Sequence, residues 1–89
     1  MTPRLKKALR ARAHALKPVV LTGQAGLSEA VLAEIDLALE HHELIKVRLR
    51  AEREERTVMA EEICARLGAE LVQSLGQIVT LYRKSPEKR

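Results

Sequence analysis

The sequence predicts an α/β domain: an α-β-α-β-α-β-β order, two layers, and a mixed four-stranded sheet. Three observations carry this. Apolar residues recur at helical spacing in three separate segments. Short aliphatic or strictly alternating runs lie between and after them. Pro18, Gly23, Gly26, Gly68 and Gly76 fall at the seams, where turns belong. A length of 89 residues suits one domain, and we place it at residues 1–84, with 85–89 as a flexible tail.

Residues 4–16 read as a helix, with Leu5, Leu9 and Leu16 along one stripe. At about 100° per residue, Arg4, Lys6, Lys7, Arg10 and His14 fall on the opposite arc, and Arg12 sits close to the apolar side. Pro18 cannot continue this helix and pushes Lys17 toward extended geometry. Residues 19–22 form a short buried strand. Ser28 is a good N-cap, and Glu29 in the first turn suits the positive end of the helix that follows. That second helix reaches about residue 40, with Val31, Ile35, Ala38 and Leu39 inward and Glu34, Asp36 and Glu40 outward.

"LIKVRLR", residues 44–50, alternates: Ile45, Val47 and Leu49 on one face, Lys46, Arg48 and Arg50 on the other. It predicts a half-buried strand whose open side is positive. "AEREER" reads as a charged connection, and a third helix runs over about 56–67 with Met59, Ala60, Ile63, Cys64 and Leu67 inward. Gly68 stops it. Strands at 70–75 and 77–83 join at Gly76 as a hairpin. Right-handed crossovers make the first three strands parallel and put both crossover helices on one face; the hairpin adds an antiparallel strand.

Charge narrows the function classes. Sixteen Lys and Arg face twelve Asp and Glu, and the six basic residues before Glu29 have no acid among them. Such a surface suits a polyanion or an acidic partner. A single cysteine, Cys64, excludes an internal disulfide and a cysteine-rich zinc site, and reads as a small core residue. There is no membrane-length apolar run and no secretory signal, so the expected location is cytoplasmic. We find no nucleophile–base pair, paired carboxylates or cofactor motif, and expect a protein that is not an enzyme, with no cofactor and no small-molecule substrate. Adjacent His41 and His42 point in different directions with no third ligand spaced for zinc, so no metal is expected; His42 reads as fixing the helix-to-strand turn. Tyr82, the only aromatic residue, cannot build a base-stacking platform.

In a parallel sheet the loops after the strands gather at one end, where ligands bind. The loop at 22–27, the connection at 50–55 and the Gly76 turn meet there, and the first helix can flank the same region. Gly23-Gln24-Ala25-Gly26 can be only a strand-to-helix turn. Equally, its glycines let a partner's backbone approach, and the helix N-terminus behind it suits an anion. It lacks the Gly-Lys-Ser/Thr ending of a Walker loop and the third glycine of a dinucleotide fingerprint. The candidate nucleic-acid-contacting residues are therefore Gly23, Gln24, Ala25 and Gly26 with Lys6, Lys7, Arg10, His14, Lys17, Lys46, Arg48, Arg50 and Arg53. His14 could instead hydrogen-bond the strand beneath it.

The stretch "KPVVLTGQAGLSEAVLAEIDLALEHHELIKVRL" resembles the signature region of the bacterial YhbY family, single-domain members of the chloroplast RNA splicing and ribosome maturation (CRM) superfamily. Ala13-His14, Leu16, Pro18-Val19-Val20, Gly23, Gly26-Leu27, Ala38-Leu39 and His42-Glu43-Leu44-Ile45-Lys46-Val47 carry the resemblance. It departs at Gln24, where many relatives carry Lys. The resemblance implies a fold similar to the C-terminal domain of translation initiation factor 3. It also implies RNA binding through the Gly-x-x-Gly loop and association with rRNA in precursors of the large ribosomal subunit. We expect a monomer that can also touch ribosomal proteins. The alternative is a protein adaptor whose sheet and acidic second helix dock a ribosomal protein or an assembly GTPase.

Overall fold

A computed structural model of the chain describes residues 1–22 and 27–84. Its elements are α1 (Pro3–Ala13), β1 (Pro18–Leu21), α2 (Glu29–His42), β2 (Leu44–Arg48), α3 (Arg53–Leu67), β3 (Glu70–Leu75) and β4 (Ile78–Tyr82). The order is the expected one. The strands line up as β1-β2-β4-β3. β1 and β2 are parallel, while β4 is antiparallel to both of its neighbours. β1, β2 and β3 therefore share one direction, and the return strand of the hairpin is inserted between β2 and β3.

Local chemistry sets the helix ends. Thr2 caps α1 by accepting the Leu5 N–H at 3.1 Å, and Ser28 caps α2 by accepting the Val31 N–H at 3.1 Å. Gly68 ends α3 at φ +66° and Gly76 opens the hairpin turn at φ +55°, both left-handed positions that favour glycine. The turn after α2 is made by Glu43, which takes φ +61° at the C-cap, rather than by His42. α3 begins three residues earlier than the charge pattern suggested. "AEREER" contains no breaker, and Glu54 and Glu55 favour a helix N-terminus, so the connection is its first turn.

Two apolar clusters lie on opposite faces of the sheet. The larger joins Val20, Ile45, Val47, Val79 and Leu81 to Leu32, Ile35 and Leu39 of α2 and Ala60 and Ile63 of α3. Leu32 is a core residue that the inward stripe of Val31 and Ile35 passed over; it is buried while Val31 is half-buried. The smaller cluster holds Leu9, Ala13, Leu44 and Val72, with Tyr82 packed against it. Leu44 alternates with Ile45, and Tyr82 with Leu81, so this cluster faces the other way. An irregularity between Leu71 and Gln73 lets Val72 join it. α1 thus crosses the second face and extends the expected two layers by a partial third.

The stripe expected on α1 is only partly buried. Leu9 and Ala13 are inside, whereas Leu5 is 42% and Leu16 38% exposed. β1 is likewise not a fully buried strand: Val20 is inside, but Val19 is 52% and Leu21 60% exposed. The reason is placement. α1 packs chiefly on β2 and β3 and leaves the outer face of edge strand β1 open.

On the α2/α3 side, Arg83 fastens the end of β4. Its Nη1 donates to Asp36 Oδ1 at 2.6 Å and to the Leu67 carbonyl at 2.9 Å, and its Nη2 donates to the Asp36 carbonyl at 3.0 Å. One guanidinium therefore closes the C-terminus of α3, the middle of α2 and the sheet together. Its planar set of donors suits this role better than an ammonium would.

Candidate nucleic-acid interface

The C-terminal ends of β1 and β2 and the β3–β4 turn are locked into one rim. The Thr22 N–H donates to the Arg48 carbonyl at 3.0 Å, and Thr22 Oγ1 donates to the same oxygen at 3.3 Å. Thr22 Oγ1 in turn accepts the Arg50 N–H at 2.9 Å. The Leu49 N–H donates to the Gln77 carbonyl at 2.7 Å. Thr22 is buried, so a hydroxyl rather than an aliphatic group is needed there to satisfy both strands. Gly23, Gln24, Ala25 and Gly26 lie outside the described residues. Thr22, which leads into them, is fixed against Arg50.

Below this rim, α1 covers only the half of the second face that carries Leu44, Val72 and Tyr82. The uncovered half forms a groove of about 190 Å³ beside α1, lined by Arg10, His14, Lys46, Gln73 and Thr80, among others. Three predicted residues from two distant segments meet here because Lys46 points to the α1 side of β2 while Ile45 and Val47 point to the core. Arg48 and Arg50 are exposed farther along the same strand direction. His14 is exposed and makes no side-chain hydrogen bond to the sheet among the described residues.

Arg53 faces a second depression, of about 460 Å³, with Arg56, Thr57, Ser74 and Gly76. Arg56 was missed from sequence. Its Nη1 donates to the Ala51 carbonyl at 2.7 Å, which holds the guanidinium at the rim. Had the third helix been started at Arg53, the i, i+3 spacing would have put both arginines on one face. Lys6 and Lys7 are exposed on α1 but do not line the groove, and Lys17 lies in a separate cleft beside Arg12.

The electrostatics of the two sides differ. Among the described residues, Arg66 and Arg83 are the lysine or arginine side chains that make ion pairs, with Glu29 and Glu62 and with Asp36 and Glu40. Lys6, Lys7, Arg10, Lys17, Lys46, Arg48, Arg50 and Arg53 make none. α1, β1, β2 and β4 contain no acidic residue at all. The hydrogen bond and charge of Glu29, with help from Glu62, raise the Arg66 pKa. Burial, reinforced by Glu70, pushes the Cys64 thiol up, keeping it protonated and unreactive near neutrality.

Fold and surface together define a small α/β domain with one cation-rich side, where among the described residues the one acid in an ion pair is Glu70, 3.6 Å from the N-terminal amine; this is the kind of surface that takes a polyanion. The chain belongs to the CRS1 / YhbY (CRM) domain family, whose profile matches residues 1–83. It is 46% identical over 88 residues to a probable RNA-binding protein of Pseudomonas aeruginosa, covering 98% of this chain and 85% of that protein. It is 44% identical over 90 residues to an RNA-binding protein of Haemophilus influenzae, covering 100% of this chain and 91% of the relative. Its fold is similar to the solution structure of a Staphylococcus aureus protein described as a proposed RNA binding protein. There the TM-score is 0.86 at 34% identity, covering 100% of this chain and 94% of the other.

Proposed function

We propose that the chain is a non-catalytic RNA-binding protein that binds rRNA in precursors of the large ribosomal subunit and serves there as an assembly factor. The observation that carries the RNA reading is the set of lysine and arginine side chains on the α1 side that make no ion pair among the described residues. Lys46 and Arg48 on β2, and Arg50 just beyond it, make no ion pair among the described residues, and Lys46 shares a groove with Arg10 of α1 and His14 at its C-cap. Phosphates lie along this track, and Gly23–Gly26 contact the RNA backbone; Thr22, which leads into them, is bonded to Arg50. The family relationship supports the same partner, and the restriction to structured rRNA follows from the lack of an aromatic stacking platform. In this reading the protein acts as a cytoplasmic monomer.

Replacing Gly23 and Gly26 together by Asp is expected to abolish co-sedimentation with large-subunit precursors while circular dichroism stays unchanged. Co-sedimentation at the wild-type level would end the proposal. Affinity is also expected to fall with salt: about four phosphate contacts give a log–log slope of about −3 to −4, from the single-strand to the duplex value. A flat titration contradicts the assigned surface.

The adaptor reading is favoured by one observation, the exposure of Leu37 on α2 and Val58 on α3 amid acidic residues. It predicts binding that survives nuclease and high salt.

A further inference from the structure

Between the end of α1 and the open face of β1 lies a cleft of about 380 Å³, toward the lower end of small-molecule sites. Leu16, Val19, Leu44 and Ile45 make its floor, and Arg12, Lys17 and His42 make its rim. Leu16 and Val19 are exposed, so part of this aliphatic floor stands in water. Among the described residues no carboxylate lines the cleft, and neither Arg12 nor Lys17 makes an ion pair. Arg12 sits about 200° around the helix from Arg10. That offset took it out of the basic arc in the sequence and places it on this cleft rather than on the groove of Arg10 and His14.

We infer that this cleft is a nucleobase subsite, in which one unstacked base of a bound RNA lies on Leu16, Val19 and Leu44 while Arg12 and Lys17 take the adjoining phosphates. The inference rests on the RNA reading above and adds a place where a base, not only the backbone, is held. An apolar floor with a purely cationic rim calls for a ligand with a flat apolar face and negative charge on both sides of it, which a nucleotide within a strand provides. His42 brings an imidazole to the rim, able to stack on or donate to the base. An acidic, apolar peptide is the nearest competitor. The RNA is favoured because the cleft borders the strand that carries the cationic track: Lys46 follows Leu44 on the same face of β2, Arg48 continues it, and Arg50 comes just beyond the strand. From Leu44 to Arg50 the strand direction covers about 20 Å at about 3.3 Å per residue. Over that length a nucleic acid presents a charge at every unit, whereas a peptide presents mostly neutral amides.

The test is methyl and amide NMR on the full chain, titrated with a short oligouridylate or oligoadenylate, with the same strand made abasic, and with a peptide of alternating Glu and Leu. Intact RNA is expected to shift the Leu16 and Val19 methyls together with the Lys46 and Arg48 amides. The abasic strand should shift only the amides, and Leu37 and Val58 should stay still throughout. Val19→Ser, at an exposed position, should weaken binding of the intact strand by at least about fivefold, the scale of one lost base contact. Amide shifts without cleft methyl shifts, or equal methyl shifts with the abasic strand, overturn the subsite and leave the RNA reading standing. Methyls that answer the peptide but not the RNA overturn it in favour of a protein partner. No response to either RNA anywhere overturns the subsite, while the rRNA reading stands or falls on the co-sedimentation of the Gly23 and Gly26 variant.

Discussion

The two faces of the sheet solve the same problem in opposite ways. On the α2/α3 face, charge is neutralised internally: Arg83 meets Asp36 and Glu40, and Arg66 meets Glu29 and Glu62. That face also buries most of the aliphatic core. On the α1 face a smaller cluster is covered; there the N-terminal amine meets Glu70, but the lysine and arginine side chains make no ion pair among the described residues. Stability therefore resides mainly on one side, and unneutralised charge on the other. A cation already paired within the fold has little to offer a polyanion, and an unpaired one repels its neighbours until a partner arrives.

This division can be broken from either side. The largest effect is expected from Ile35→Ala in the fully buried core, at about 2–5 kcal/mol of stability by chemical denaturation. RNA affinity measured where the variant is still folded should stay within error of wild type. Lys46→Glu combined with Arg48→Glu should do the converse. Each change removes an attraction and adds a repulsion, so affinity should drop roughly a hundredfold at low salt while the melting temperature barely moves. A large loss of stability in that pair would show that these side chains belong to the core economy after all.

Arg83→Ala sharpens the contrast with another arginine. It leaves the Leu67 and Asp36 carbonyls without their donors, and should cost about 1–3 kcal/mol. The value should fall toward the lower end, because the Asp36 side chain is 50% exposed and can return to water. RNA binding should be unaffected; a loss would place Arg83 in the interface. The smallest effect is expected at the glycines. An added Cβ meets nothing within 4 Å at Gly68 or Gly76, so Ala there costs only backbone strain, about 1–2 kcal/mol for a left-handed residue. Equal costs at both would show that backbone strain does not distinguish the two sides, leaving any difference in RNA affinity to the place of Gly76 in the depression that Arg53 and Arg56 also line.

Much of this was legible in the chain because it depends on near neighbours. The caps at Ser28 and Gly68 depend on the adjacent helix, and the alternation of Ile45, Val47 and Leu49 with Lys46, Arg48 and Arg50 follows from the two-residue repeat of a strand. Arg10 and Lys46 could be marked as candidates from residue type and face alone. Their meeting in one groove could not, nor could the partnership of Arg53 with Arg56, once the charged run was taken for a loop.

By itself, then, the sequence determined the order of elements, the hairpin, the basic start of the chain and which residues share a face. Tertiary structure alone decided that β4 enters between β2 and β3, that α1 lies on the face opposite α2 and α3, and that Val19 and Leu21 stay uncovered. It also separated the arginine that ties the fold together, Arg83, from those left for a partner. The physical reason is that periodicity reports the rotation of a side chain about its own element. Which surface that side chain meets is set by long-range packing, through apolar burial that is blind to direction and to sequence distance.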